Sequence, residues 1–175
     1  MKTKKIHMKT EQIEKEKDKL PIDTGLEKGA RKSIAQSLIR LQADEEVLYI
    51  KTRNFHWNVM GMSFQPLHLL FETQYTELTT FIDTIAERVR TLGHFAPGSM
   101  EEYLRLTRLK ESGNLDGKAE KMVKALVEDH EAIIRTLRRD LEDAAQHGDA
   151  STSGFLTNLL EAHEKMAWML RAHLG

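Results

Sequence analysis

The chain contains no cysteine. That excludes a disulfide framework and is compatible with a reducing cytoplasm. It holds three prolines in 175 residues, so little in it interrupts helix. No apolar run approaches the ~20 residues needed to cross a bilayer. The opening MKTKKIHMKT is basic, but no apolar segment follows it, so it does not read as a secretory leader. A cytoplasmic protein without a membrane partner is expected. Net charge is also nearly absent, at −1, and bulk attraction of the whole chain to nucleic acid is not indicated.

What charge there is lies unevenly. Residues 1–20 carry seven lysines against four acids, and the remainder carries 19 basic and 23 acidic side chains. A basic arm on an acidic body is one way of tethering nucleic acid, and equally it is the composition of a solvated terminus. The length fits one domain. The expected division is a flexible Lys-rich arm over 1–25 and a helical domain over 26–175.

Apolar periodicity organises that domain. Ile34, Leu38, Leu41, Leu48 and Phe55 mark a first helix over about 26–57. Leu67, Phe71, Leu78, Phe81, Ile85 and Leu92, with Phe64, mark a second over about 63–92. Ser63 is its expected cap, and Gly93 ends it. Met122, Leu126, Ile133, Leu137 and Leu141 mark a third, capped by Asp116 and running to about 147. Phe155, Leu159, Met166 and Leu170 mark a fourth, starting at Ser151 or Thr152; Trp168 and Met169 are expected to be core. Links one and three are short, so each joins an antiparallel pair. The middle link, 93–115, can span about 75 Å when extended. It contains Ser99-Met-Glu-Glu102, a capping box that starts a short helix. An all-α, ferritin-like four-helix bundle results, with a short helix in the long crossover between helices 2 and 3.

The chemistry concentrates in NFHWNVMGMSFQPLHLLFETQYTELTTFIDTIAER, residues 54–87. Imidazole with carboxylate suits first-row divalent metals, iron among them. With His68 set at 0°, helical geometry puts Glu72 near 40°, Asp83 near 60° and Glu87 near 100°, all on one side. His68 and Asp83 are nevertheless separated by about 22 Å of helix. If these residues serve one metal site, His68/Glu72 and Asp83/Glu87 must come from different copies related by a two-fold axis, which makes two equivalent sites per dimer. The same spacings also describe an ordinary i,i+4 pair and a solvated helical face. Di-iron sites inside one bundle use Glu-x-x-His on two helices, and no histidine here has Glu three residues before it. His94, His130, His147, His163 and His173 lack any partner pattern and are read as surface or internally satisfied residues.

FHWNV-x-G-x-x-F-x-x-x-H, followed by D-x-x-A-E-R, resembles the Dps proteins, or miniferritins, as do LGHFAPGS and KMAWMLRAHL further on. The likeness covers about residues 30–175. It implies a hollow shell of twelve subunits built from two-fold dimers. It also implies a ferroxidase centre at each dimer interface, with His56, His68 and Glu72 from one subunit and Asp83 and Glu87 from its mate. Glu72 stands where the commonest family pattern has Asp, one methylene shorter. The implied activity is oxidation of Fe(II), preferentially by hydrogen peroxide, with ferric mineral stored in the cavity and DNA thereby protected; zinc is a competing metal. Iron entry would use carboxylates near the end of the third helix and start of the fourth, with Glu142, Asp143 and Asp149 as candidates. The alternative function is non-specific DNA binding and compaction through the arm, with nucleoid association.

Overall fold

The structure, a computed structural model of the chain, describes residues 22–175. The Lys-rich arm up to Pro21 lies outside the described residues. Five α-helices follow: α1 Lys28–Asn58, α2 Phe64–Thr91, the short α3 Met100–Leu106, α4 Ala119–Gln146 and α5 Ala150–Arg171. No strand occurs among the described residues, and no helix there is long and apolar enough to cross a membrane.

The stripes read from periodicity face one interior. Ile34, Leu38, Leu41, Leu48 and Phe55 of α1 are buried, as are Leu67, Phe71, Leu78 and Ile85 of α2. Met122, Leu126, Ile133 and Leu137 of α4 meet Leu159, Met166 and Leu170 of α5 in the same core. α1 packs chiefly on α2 and α4 on α5, and the two hairpins join mainly through α1 and α4. This is the four-helix bundle expected, with α3 in the long crossover. Truncating a fully buried aromatic such as Phe71 to Ala in such a core costs about 3–5 kcal/mol. Phe64, Trp168 and Met169 depart from the expected core and are exposed on the single chain. Phe64 stands in the first turn of α2 beside the exposed α1–α2 link, beyond the reach of the core.

The helix starts differ from the expected caps in three places. Ser63 occupies the N-cap position of α2, but its hydroxyl caps nothing. Asp116 does not cap α4: it lies in a 3-10 turn, Leu115–Gly117, at φ 55°, while Asn114 accepts from its amide. α5 is capped by Asp149, which accepts from the Thr152 amide at 3.0 Å. In the crossover, by contrast, Ser99 and Glu102 form the expected reciprocal box.

That 3-10 turn also ties the crossover to the end of α1. The Met60 amide donates to the Gly117 carbonyl at 3.0 Å. Gly117 has φ 69°, and a Cβ there would come within 2.9 Å of the Asn58 carbonyl oxygen. Glycine is therefore required both by backbone conformation and by the closeness of the two segments.

Candidate metal centre

His56 lies in the last turn of α1 and His68 in the second turn of α2. The short link between the helices folds them back so that the two rings stack, centroids 3.7 Å apart at 19°. Each ring is tied to the other residue's backbone. His56 Nδ1 donates to the His68 carbonyl and His68 Nδ1 donates to the His56 carbonyl, both at 2.8 Å. A carbonyl can only accept, so the proton of each neutral ring sits on Nδ1. Both Nε2 atoms are left with free lone pairs, the tautomer that ligates metal.

Aromatic neighbours hold this pair in place. Phe64 stacks on His68 at 5.1 Å, and Tyr75 meets His56 edge-on at 5.2 Å. Tyr75 in turn meets Tyr49, whose hydroxyl accepts from Arg53, and the Arg53 guanidinium lies 4.8 Å over the Trp57 ring. Trp57 itself is exposed on the single chain. Tyr75 was not singled out by spacing; its place one turn after Glu72 on the same helix was the available signal.

Glu72, Asp83 and Glu87 are all exposed along α2. None of the three makes a hydrogen bond or ion pair among the described residues, so the reading of His68/Glu72 as an ordinary helical pair does not describe this chain. α2 is unbroken from His68 to Glu87, which keeps His68 about 22 Å and Glu72 about 17 Å of helix from Asp83. Among the described residues no three His, Asp or Glu side chains within one chain are gathered to hold a metal ion.

Of the three entry-pore candidates, Glu142 is exposed, and Asp143 is half-buried near Ser33 and His147. Asp149 is withdrawn from that role. It is buried, takes both its oxygens to Arg88 at 2.8 Å, and caps α5. Burial alone would raise its carboxyl, but the Thr152 hydroxyl and amide and then Arg88 outweigh that and hold it below the usual carboxylate range. His130 and His163, read as surface or satisfied, prove fully buried together with Glu45.

Residues 35–175 match the ferritin-like domain family. The chain is 44% identical over 154 residues to an uncharacterised low temperature-induced protein of Nostoc, covering 87% of this chain and 86% of that one. It is 40% identical to DNA protection during starvation protein 2 of Bacillus anthracis, covering 82% of this chain and 98% of the relative. The crystal structure of the Dps protein from Vibrio cholerae, described as a member of a superfamily of ferritin-like diiron-carboxylate proteins, superposes with a TM-score of 0.83 at 33% identity, covering 86% of this chain and 94% of that chain. The chain belongs to the Dps family of ferritin-like proteins. In this Dps chain the two histidines are locked together, and Glu72, Asp83 and Glu87 stand exposed along α2.

Proposed function

We propose that this Dps-family protein oxidises Fe(II) and stores the product as ferric mineral inside a shell of twelve copies. The centre is shared across a two-fold interface: His56, His68 and Glu72 from one subunit, Asp83 and Glu87 from the other. The observation that carries this reading is the reciprocal tie between His56 and His68, which presents two imidazole Nε2 atoms in the ligating tautomer.

The roles follow from donor chemistry. Three carboxylates are hard anionic donors that bind Fe(II) and bind Fe(III) more strongly, so they favour oxidation of the substrate ion. The imidazoles complete a mixed nitrogen and oxygen set, which zinc can also occupy. Two Fe(II) ions supply the two electrons that reduce one hydrogen peroxide to water, so no hydroxyl radical need be released. Removing Fe(II) and peroxide together is how such a protein would protect DNA. Two acidic ligands stand opposite three from the neighbouring chain, so binding depends on assembly.

The test is Fe(II) oxidation by peroxide in the assembled protein, followed by ferric absorbance. His56→Ala with Asp83→Ala is expected to reduce the initial rate by at least tenfold. An unchanged rate in correctly assembled double variant would refute the site.

A further inference from the structure

The interior of the bundle holds a second polar cluster, about three helical turns from His56 along α1. Glu45 of α1, His130 of α4 and His163 of α5 are each fully buried, at 0% exposure. His163 stands between the other two. Its Nδ1 lies 2.9 Å from His130 Nδ1, and its Nε2 lies 2.9 Å from Glu45 Oε1. The second contact is off the line of a good hydrogen bond, so it attracts mainly as charge on charge. His130 Nε2 and Glu45 Oε2 have no hydrogen-bond partner among the described residues.

Among the described residues, the other buried polar and charged groups of the packed helices have partners elsewhere. Phe81 of α2 packs against His163 at 5.8 Å, and Gln74, the one buried polar residue of that helix, donates to the Met166 carbonyl. The other buried charges of α1 are engaged elsewhere, Asp44 by Arg108 and Lys51 by Asp129. On α4 and α5 the remaining buried polar side chains are Thr136 and Thr152.

Proton counting then constrains the cluster. Two ring nitrogens facing each other at 2.9 Å must share one proton; with none their lone pairs repel, and with two their N–H groups collide. A bare ring nitrogen and a carboxylate oxygen at that distance repel, so His163 Nε2 carries a proton as well, facing Glu45 as charge on charge. The charge-balanced filling is three protons, one in each contact and one on the outer Nε2 of His130. A fourth either sets two N–H groups face to face or neutralises Glu45 and strands a buried imidazolium. Both leave an uncompensated positive charge at the centre of the bundle.

We propose that Glu45, His163 and His130 form an acid-sensitive lock in each subunit, joining α1 to the α4–α5 hairpin through a charge-balanced set of protons and releasing it when one more is taken up. Burial, and then the charge on His163, holds His130 well below the ordinary imidazole range. The folded chain therefore refuses a proton that the unfolded chain accepts. Its contribution to stability is full above the unfolded imidazole value of about 6.5 and declines as pH falls below it. The lock does not depend on the iron reading.

The experiment uses the assembled full chain in EDTA, with thermal unfolding followed by circular dichroism at about pH 7.5 and about pH 5. His130→Asn retains a side chain that can accept from His163 but cannot take up the proton. The fall in thermal midpoint between the two pH values is expected to shrink to half or less of the wild-type fall. An equal fall overturns the proposal. If the variant does not fold, solid-state 15N spectra of histidine-labelled wild type decide. A correlation between two imidazole nitrogens through one hydrogen bond, lost over the same pH interval as the midpoint falls, supports the lock. Its absence at pH 7.5, or its survival through the transition, overturns it.

Discussion

Subunit mixing offers a quantitative test of the shared centre. One chain carries His56→Ala and His68→Ala; the other carries Asp83→Ala and Glu87→Ala. His68 lies about 22 Å from Asp83 along one rigid helix, and His56 of α1 is tied beside His68, so neither chain can repair itself. In a two-fold pair of like variants both centres are broken. A mixed pair brings an intact histidine half against an intact carboxylate half at one centre and two damaged halves at the other. Random association makes roughly half of the pairs mixed, so about a quarter of the wild-type centres should be restored. The assay is the initial rate of peroxide-driven Fe(II) oxidation in co-expressed shells, with native mass spectrometry to verify that both chains are present. Rates near a quarter of wild type, from parents with almost none, are the expected result. Mixed shells as inactive as either parent would refute the split centre.

Two further outcomes concern stability. Asp149→Ala removes the α5 cap, worth about 1 kcal/mol, and leaves Arg88 without its carboxylate partner, though still bonded to Thr152. Arg88 is partly open to water, so a total loss of about 2–4 kcal/mol in chemical denaturation is expected. Because the Asp149 carboxyl sits below the usual range, its contribution is present above the unfolded value of about 3.9 and is lost as pH falls through the folded one; Asp149→Asn should flatten the wild-type decline there. Gly117→Ala forces a left-handed conformation, costing about 1 kcal/mol, and drives Cβ against the Asn58 carbonyl oxygen, which as backbone cannot step aside. A combined loss of about 2–3 kcal/mol is expected in the same denaturation assay; a loss below half of that would mean the crossover can move off α1.

Much of this was legible in the order of residues. Periodicity marked all four long helices because each buries one continuous stripe, and the crossover length marked the topology. Helical rise separated His68/Glu72 from Asp83/Glu87; the proposal that they are ligands came from the family resemblance. The tautomer lock of His56 and His68 did not, because it uses backbone carbonyls brought close by the hairpin. The buried cluster is the more instructive case. Glu45 sits four residues after Leu41 and three before Leu48; His130 stands likewise between Leu126 and Ile133, and His163 between Leu159 and Met166. Each therefore occupies a stripe position that would otherwise be apolar. A search for Glu-x-x-His within one helix passes over them, because the three come from three helices. The caps were misplaced for a local reason: Asp116 reads as an N-cap, but the adjoining Gly117 permits a tight turn that carries Asp116 out of position.

The His56–His68 tie has a consequence for how this hairpin can vary. Its acceptors are main-chain oxygens, so the tie itself uses no third side chain, and Phe64 and Tyr75 only pack against the rings it orients. Neighbouring residues that do not touch the rings are free to drift. The link of residues 59–63 is not free in length, because one inserted residue would rotate one helix end against the other and break both bonds together. Variation on this segment is thus expected as exchange of side chains at constant spacing, and a loop graft that alters the count would disarm the proposed site while leaving every one of its residues in the sequence.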